Sequence, residues 1–121
     1  MNILFVDDEI EILDGIRNLL RRHRRKWSMT FVDCAEEALR LLERESFDVI
    51  VTDMRMPEIN GSELLGIVHQ RYEHMGRVLL SGQTDVEQLL EVMPIVDEML
   101  SKPCQRGQLL DALGKFESTV H

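Results

Sequence analysis

Ionisable and polar side chains lie at the ends of several short apolar segments of this sequence. Asp7 and Asp8 follow the first of these segments, and Asp53 follows a later one. Ser81 closes a further segment, and Lys102 follows the last. If the segments are strands of one parallel sheet, their carboxyl ends meet in a crevice, which is where such sheets bind ligands. The spacing therefore predicts one site that combines carboxylates, a hydroxyl and an ammonium group.

Carboxylates gathered in one crevice repel one another unless a cation neutralises them. Carboxylate oxygens, together with a backbone carbonyl and water, are ligands that suit Mg²⁺. One aspartate can then act as a nucleophile and form an aspartyl phosphate, while the metal and Lys102 stabilise charge on the transferred group. Taken singly, Asp8 is typical of a helix cap, Ser81 of a loop and Lys102 of a turn. Only their joint placement favours phosphoryl chemistry.

The segments that must position these residues alternate with amphipathic stretches along the whole chain. Short apolar runs predict strands at residues 3–6, 27–32, 47–52, 77–81 and 96–100. Apolar residues at helical spacing predict helices at residues 10–25, 35–42, 64–72, 84–92 and 109–116. The alternation predicts an α/β fold, a doubly wound parallel sheet of five strands covered on both faces by five helices.

Local signals mark two helix starts and one helix end. Asp33 is expected to cap the second helix. Thr84 and Glu87 have the spacing of a capping box, which opens the fourth helix. Pro94 disfavours helical backbone at the residue before it, so the fourth helix is expected to end there.

Composition limits the class of protein. With 121 residues, of which 44% are apolar and 30% charged, the chain suits one globular domain over residues 1–121. No apolar run approaches the roughly 18 residues of a membrane span, and no signal peptide is visible, so we expect a cytoplasmic protein without membrane contact. A net charge of −8 argues against direct nucleic-acid binding. Cys34 and Cys104 form no CxxC pair, and the histidines are scattered.

One basic run, RRHRRK at residues 21–26, stands out in this acidic sequence. The simpler interpretation is the solvated end of a helix, where cations are favoured by the partial charge of the carbonyl groups. The other interpretation is a docking patch for an acidic partner. The sequence leaves both open and favours the first.

Four segments of the chain resemble the receiver domain of two-component response regulators, and the resemblance covers essentially the whole length. They are ILFVDDE, VIVTDMRMPEINGSELL, VLLSG and LSKP, in this order. The resemblance implies a flavodoxin-like sheet with strand order 2-1-3-4-5. It also implies a Mg²⁺-dependent phosphoacceptor. The phosphoryl group would come from a sensor histidine kinase or a phosphotransfer protein.

The resemblance assigns a role to each site residue. Asp53 is the phosphoacceptor and binds Mg²⁺ together with the side chain of Asp8. Asp7 helps through water, and the backbone carbonyl of Arg55 is a further ligand. Catalysis is completed by Ser81 and Lys102, which contact the phosphoryl group. The family also implies a cis peptide bond between Lys102 and Pro103.

By the same resemblance, phosphorylation switches the face formed by the fourth helix, fifth strand and fifth helix, which controls an output domain or an effector protein. Two positions of that face depart from the family pattern. Met99 replaces the aromatic residue that commonly lies three positions before the lysine, and Pro94 replaces a Gly-Ala pair. Arg55 and Gln83 occupy positions that tune the phosphoryl lifetime in the family.

Other functions stay open at the level of the sequence. One is an aspartate-nucleophile hydrolase, although phosphatases of that class usually carry a second aspartate where this chain has Arg55. Another is a protein-binding module that needs no phosphorylation. Nucleotide-binding glycine motifs are missing. We expect no enzymatic turnover beyond self-catalysed phosphorylation and dephosphorylation.

The sequence does not fix what the domain is joined to. It fits a stand-alone receiver or a piece of a longer regulator, as a monomer or a homodimer. LLSGQTD and LSKPC are similar to receivers joined to HD-type hydrolase domains.

Overall fold

Five short strands form one sheet in the computed structural model of this chain, which describes residues 1–82 and 86–117. The strands are Asn2–Val6 (β1), Ser28–Val32 (β2), Val49–Asp53 (β3), Gly76–Ser81 (β4) and Glu98–Ser101 (β5). The helices are Ile10–Leu20 (α1), Ala35–Arg44 (α2), Gly61–Arg71 (α3), Val86–Val92 (α4) and Arg106–Glu117 (α5). Single 3₁₀ turns follow α1 at Arg21–His23 and α4 at Met93–Ile95.

All strand pairs are parallel, and the order across the sheet is β2-β1-β3-β4-β5. This is the flavodoxin-like arrangement, so the predicted fold class and strand order are confirmed. The order reverses between β1 and β3, because the chain first builds outward to β2 and then returns to the other side of β1. A ligand crevice is expected at the carboxyl ends of these two strands.

Each face of the sheet is covered by helices over its own apolar core. One core lies under α2, α3 and α4 and is centred on Leu4, Ile50 and Leu79. The other lies under α1 and α5 and is centred on Phe5, Val51 and Leu80. The three central strands are almost continuously apolar because both of their faces are buried. This is the two-sided packing that the alternation of elements predicts.

Several predicted boundaries are wrong by a few residues. The first helix ends at Leu20 and tightens into a 3₁₀ turn, so the basic run lies beyond the α-helix. The first residue of the predicted second strand, Trp27, precedes β2, and β3 begins at Val49 rather than at residue 47. β5 begins at Glu98 rather than at residue 96.

Of the helix signals, one is confirmed, one is wrong and one is untested. α4 ends at Val92, directly before the turn that contains Pro94, as predicted. Asp33 does not cap α2, because the helix begins at Ala35 and Cys34 occupies the N-cap position without a side-chain hydrogen bond. The predicted cap Thr84 lies outside the described residues. Within the described part of the chain, no helix has the length and apolar character needed to cross a membrane.

Candidate functional site

The strand ends bring the predicted site residues to one edge of the sheet. Asp53 is the last residue of β3 and Ser81 the last of β4, while Asp7 directly follows β1 and Lys102 directly follows β5. The strand register fixes this meeting point, since Asp53 lies beside Leu80 in the neighbouring strand. The crevice predicted from the sequence is therefore present at the carboxyl edge.

Lys102 lies between two aspartates that are almost completely buried. Its Nζ atom is 2.9 Å from Oδ1 of Asp53 and 3.0 Å from Oδ2 of Asp7. Asp7 is 1% exposed and Asp53 is 4% exposed. A third carboxylate, that of Glu9, reaches Nζ at 3.7 Å from the solvent side. One cation thus faces two buried negative charges, which leaves the interior of the site net negative.

Four carboxylates could share a cation at this point. One oxygen each from Asp7, Asp8, Glu9 and Asp53 lies within 4.8 Å of the others. Oδ2 of Asp7 is buried and has no hydrogen-bond partner among the described residues, although its ion pair with Lys102 is close. An all-oxygen donor set that includes two buried carboxylates fits a hard cation such as Mg²⁺. The residues present therefore fit the metal that the sequence implies.

Burial dominates the electrostatics of the two inner aspartates. It raises the pKa of Asp7 above its ordinary value, and neither the backbone N–H of Glu9, which donates to Oδ1 at 2.9 Å, nor Lys102 cancels the effect. Burial likewise raises the pKa of Asp53, and the nearby charge of Asp7 adds to the increase. Both carboxylates thus lie in surroundings that disfavour their charged forms.

In contrast to the two aspartates, Lys102 lies in surroundings that favour its charged form. Burial alone would lower the pKa of Lys102, but its pairing with Asp53 and Asp7 outweighs burial and raises the pKa. Lys102 therefore stays protonated at neutral pH, and its ammonium group can form an ion pair with an anionic group bound at Asp53.

The backbone around Asp53 is held on both sides. Its carbonyl oxygen accepts the hydroxyl hydrogen of Thr52 at 3.0 Å. The next amide, that of Met54, donates to Leu80 of β4 at 3.1 Å, and the carbonyl of Met54 accepts from the amide of Gly61 at 2.8 Å. Gly61 lies so close that a Cβ atom there would meet the carbonyl oxygen of Asp53 at 2.2 Å. The start of α3 thus packs directly on the backbone of Asp53.

The loop between Asp53 and α3 forms one wall of an open cavity. The cavity has a volume of about 450 Å³ and extends from Asp8 past Arg55 to Gln88 of α4. Glu58 has a φ of 67°, which is uncommon for a residue with a side chain, and the amide of Ile59 donates to Pro57 across it. This cavity could receive the part of a phosphodonor that carries the phosphoryl group.

The remaining predicted residues lie near this centre or outside the described part. Ser81 is buried, and its carbonyl accepts the amide hydrogen of Lys102 at 3.0 Å, which ties the ends of β4 and β5 together. The peptide bond between Lys102 and Pro103 is cis, as predicted. Arg55 borders the cavity, and the role of its carbonyl stays a prediction. Gln83 lies outside the described residues.

The face formed by α4 and β5 is unusually apolar for a surface. Val86, Leu90, Met93 and Met99 are exposed there, with Leu90 at 70% and Met99 at 39%.

The turn that follows α4 is held by Arg77, a largely buried arginine at the start of β4. Its Nε atom donates to the carbonyl of Ile95 at 2.6 Å, and Nη1 donates to two carbonyls of the α3–β4 loop.

Three contributors to this region were not among the predicted site residues. Glu9 follows the two predicted aspartates directly and joins their cluster, so its acidic type was the available signal. Gly61 follows an asparagine that begins a true capping box with Glu63, a spacing readable from the sequence. Nothing in the sequence distinguishes Arg77 from an exposed arginine, because its role depends on carbonyls of the α3–β4 loop and of the turn after α4.

Comparison with known proteins agrees with this geometry. A family model described as the response regulator receiver domain matches residues 3–114. The chain is 31% identical over 116 residues to the response regulator protein FleR of Pseudomonas aeruginosa, which covers 93% of this chain and 24% of FleR. It is 38% identical over 88 residues to the hydrogenase transcriptional regulatory protein HoxA of Cupriavidus necator, covering 73% of this chain and 18% of HoxA. The chain thus spans a quarter or less of these relatives.

Solved structures give the same result. The signal receiver domain of an HD domain-containing protein from Pseudomonas fluorescens Pf-5 matches with a TM-score of 0.91 and 29% identity, over 98% of this chain and 94% of that chain. A response regulator receiver domain protein from Clostridium thermocellum matches with a TM-score of 0.87 and 30% identity, over 98% of this chain and 94% of that chain.

Proposed function

This chain belongs to the response regulator receiver domain family of two-component signalling, and from that premise we propose that it is a phosphorylation-controlled switch whose acceptor is Asp53. The phosphoryl group comes from a sensor histidine kinase or a phosphotransfer protein. The observation that carries the proposal is the buried carboxylate of Asp53, which lies 2.9 Å from Nζ of Lys102 inside a cluster of oxygen ligands. Such a carboxylate has both a counter-charge and a metal-compatible shell within reach.

In the proposed reaction, an oxygen of the Asp53 carboxylate attacks the phosphorus atom. A new oxygen–phosphorus bond forms as the bond from phosphorus to the donor's nitrogen breaks, and the donor keeps that electron pair. The ammonium group of Lys102 moves toward an oxygen of the transferred group. The negative charge of that oxygen then takes the place of the Asp53 charge as the partner of Lys102. Asp7, Asp8 and Asp53, with the carbonyl of Arg55, would hold a Mg²⁺ ion, and such an ion would supply further positive charge to the phosphoryl oxygens.

We assign the response of the domain to charge and packing. The phosphoryl group adds about −1.5 to −2 charges and strong acceptor oxygens beside β4 and β5. Ser81 offers a hydroxyl at the end of β4, and Lys102 is already tied to it through the backbone. Movement of these two strand ends repacks the apolar surface of α4 and β5, so that an output domain, an effector protein or a second copy sees a changed face.

The domain does not need to turn over substrates in this role. Its chemistry is self-catalysed phosphorylation and self-catalysed loss of the phosphoryl group. The residue two positions after Asp53 is Arg55, so the carboxylate that a hydrolase of the aspartate-nucleophile class usually places there is missing. A phosphatase is therefore the weaker proposal.

The kinase is proposed to dock beside the site, where α1 begins. Ile10, the first residue of α1, is 64% exposed, whereas Ile12 packs against the core. An exposed branched apolar side chain next to an acidic crevice is a suitable contact for the helices of a phosphodonor protein. Glu9 and Glu11 flank it with negative charge.

The output of the switch depends on the domain or protein that this receiver controls. FleR and HoxA are a response regulator and a transcriptional regulator, and the Pseudomonas fluorescens structure belongs to an HD domain-containing protein. We propose control of such an attached or separate effector, because this chain covers only a small part of the curated relatives.

Phosphorylation can be tested without the natural donor. The purified chain is incubated with acetyl phosphate and Mg²⁺, and its intact mass is measured. We expect the mass of one phosphoryl group, absent in Asp53→Asn and strongly reduced in Asp8→Asn. Asp14→Asn is the control, because Asp14 is an exposed α1 carboxylate paired with Arg17 outside the site. Equal labelling of Asp53→Asn and the wild type would refute the acceptor assignment.

A further inference from the structure

A groove with basic walls lies between α1 and the edge strand β2, and none of its lining residues is a residue of the phosphorylation site named above. It has a volume of about 800 Å³. We call it the basic groove and define it by the side chains that the following argument uses: Arg17, Arg21, Arg24, Trp27, Met29 and Phe31.

The charge of this region is opposite to that of the rest of the chain. Residues 17–26 contain six Lys or Arg and no Asp or Glu, whereas the remaining sequence holds eight Lys or Arg and all 22 acidic residues. Two of these cations have partners, since Arg17 pairs with Asp14 at 2.9 Å and Lys26 with Glu117 at 3.1 Å. Among the described residues, the four arginines between them have no carboxylate within ion-pair distance, namely Arg21, Arg22, Arg24 and Arg25.

The floor of the basic groove is apolar and packs against the core. Met29 and Phe31 are half-buried on β2 and pack against the core under α1. The guanidinium of Arg17 lies over the ring of Phe31 at 4.5 Å, which fixes one wall. At the other end the ring of Trp27 is buried, and His23 stacks on it at 5.2 Å.

One side of β2 is free to pair with another strand. In the part of the chain that the structure describes, β2 is the outermost strand of the sheet and pairs with β1 alone. Its outer backbone groups are open to an extended peptide, which can add to such an edge by main-chain hydrogen bonds. Arginine beside this edge selects for carboxylates, because the guanidinium fork binds a carboxylate through two parallel hydrogen bonds.

From these observations we propose that the basic groove binds an extended, glutamate- or aspartate-rich segment of a protein partner. The segment lies along β2, its backbone pairs with the free edge, and its carboxylates meet Arg21 and Arg24. A DNA duplex is disfavoured because it would face the strongly acidic remainder of the chain at short range. A membrane is disfavoured because, in the described part of the chain, no large exposed apolar side chain lies in residues 17–31.

The basic groove is separate from the phosphorylation site. The carboxyl ends of the strands carry Asp53 and Lys102, whereas Arg21 and Arg24 follow the end of α1, on the amino-terminal side of β2. An acidic partner can therefore bind whether or not Asp53 carries a phosphoryl group, and this inference does not rest on the proposed function.

The test uses a synthetic peptide of eight residues in which glutamates alternate with threonines, at low salt. Trp27 is the only tryptophan of the chain, so its fluorescence reports on the groove. Amide chemical shifts of β2 locate the peptide. We expect saturable binding that becomes about tenfold weaker in Arg21→Glu with Arg24→Glu. Both side chains are exposed, so the fold should survive, and acetyl phosphate labelling of the variant confirms that it does.

The matched control reverses two exposed arginines of α2, as Arg40→Glu with Arg44→Glu, which changes the net charge by the same amount. Binding to this variant should stay within about twofold of the wild type. The proposal is overturned by absence of saturable binding to the wild type, by equal weakening in both double variants, or by shifts that avoid β2. It is equally overturned if a short DNA duplex or phosphatidylglycerol vesicles bind the same arginines more tightly than the peptide does.

Discussion

A Cβ atom on Gly61 would lie 2.2 Å from the backbone carbonyl oxygen of Asp53 and 2.9 Å from Cα of Met54. Both atoms belong to the backbone, so no side-chain rotation can relieve the contact. The first residue of α3 therefore sets where the phosphoacceptor lies, and a larger residue must push either the helix or the end of β3 away.

The first prediction concerns this contact. Gly61→Ala should lower the free energy of unfolding by about 2–4 kcal/mol, because overpacking against backbone is not relieved locally. It should also slow acetyl phosphate labelling of Asp53. Gly66→Ala in the same helix is the control, since a Cβ there meets nothing within 4 Å. That change should stabilise by roughly 0.5–1 kcal/mol. Similar effects of both substitutions, in urea denaturation, would contradict the role of Gly61.

The second prediction concerns the buried charges of Asp53 and Asp7. Their folded-state pKa values are raised above the ordinary 3.8, so the native state binds more protons than the unfolded chain at pH values just above that number. The free energy of unfolding should then fall as pH rises from about 4 through the raised pKa values. Without divalent cations, Asp53→Asn should be more stable than the wild type at pH 7 by about 1 kcal/mol.

This advantage should shrink as the pH is lowered toward 4, because the buried carboxyl groups of the folded wild type then take up protons and lose the charge that burial penalises. Thermal melts of both proteins across that range provide the measurement. If the wild type is the more stable protein at pH 7 in a chelating buffer, the electrostatic cost assigned to the two aspartates is wrong.

The third prediction concerns the cation. Millimolar Mg²⁺ should raise the melting temperature of the wild type by a few degrees, because a ligand that binds only the folded state stabilises it by mass action. The increase should be smaller in Asp8→Asn and unchanged in the exposed α1 variant Asp14→Asn. An increase of the same size in Asp8→Asn would exclude Asp8 as a ligand.

The fourth prediction concerns Arg77. Its guanidinium holds the carbonyls of Ile95, Glu73 and Met75, and Arg77→Met would leave these groups without their donor. We expect a loss of about 2–4 kcal/mol and faster amide hydrogen exchange in the turn that follows α4. Arg71→Met, at the exposed end of α3, should change stability by less than about 0.5 kcal/mol. Unchanged exchange in Arg77→Met would show that the turn is held by something else.

The fifth prediction concerns Met99. A thioether side chain has several accessible rotamers, so its positions before and after phosphorylation should differ less than those of an aromatic ring. Beryllofluoride with Mg²⁺ should mimic a phosphoryl group at Asp53. NMR shifts should be large near Ser81 and Lys102 and small around Met99, and Met99→Tyr should enlarge the response of α4 and β5. A complete rearrangement of that face in the wild type, with no gain in the variant, would disprove weak coupling.

Much of this fold follows from patterns that the sequence carries locally. Buried parallel strands must be apolar on both faces, so their positions and the alternation with helices could be predicted, and the strand ends then located Asp7, Asp53 and Lys102 together. Helix starts were less predictable. Asp33 has a capping side chain but is one residue too early, because α2 begins only where Ala35 can enter the core.

The unpredicted features depend on contacts between segments that are distant in sequence. The importance of Gly61 follows from the path of β3 beneath it, and that of Arg77 from carbonyls in the α3–β4 loop and in the turn after α4. The capping box of Asn60 and Glu63 could locate the start of α3, but no periodicity or short motif reveals the contact of Gly61 with Asp53 or the carbonyls around Arg77.

The row of arginines beside β2 also bears on self-association. An open strand edge invites the same edge of another molecule and can lengthen into a fibre. Two β2 edges brought together would add the positive charges of Arg21 and Arg24 from both molecules to one interface, and these like charges would repel. Sheet growth through this edge is thereby suppressed without the strand being covered. Neutral replacements at Arg21 and Arg24 are therefore expected to reveal themselves as turbidity in concentrated solution, in a protein that still folds.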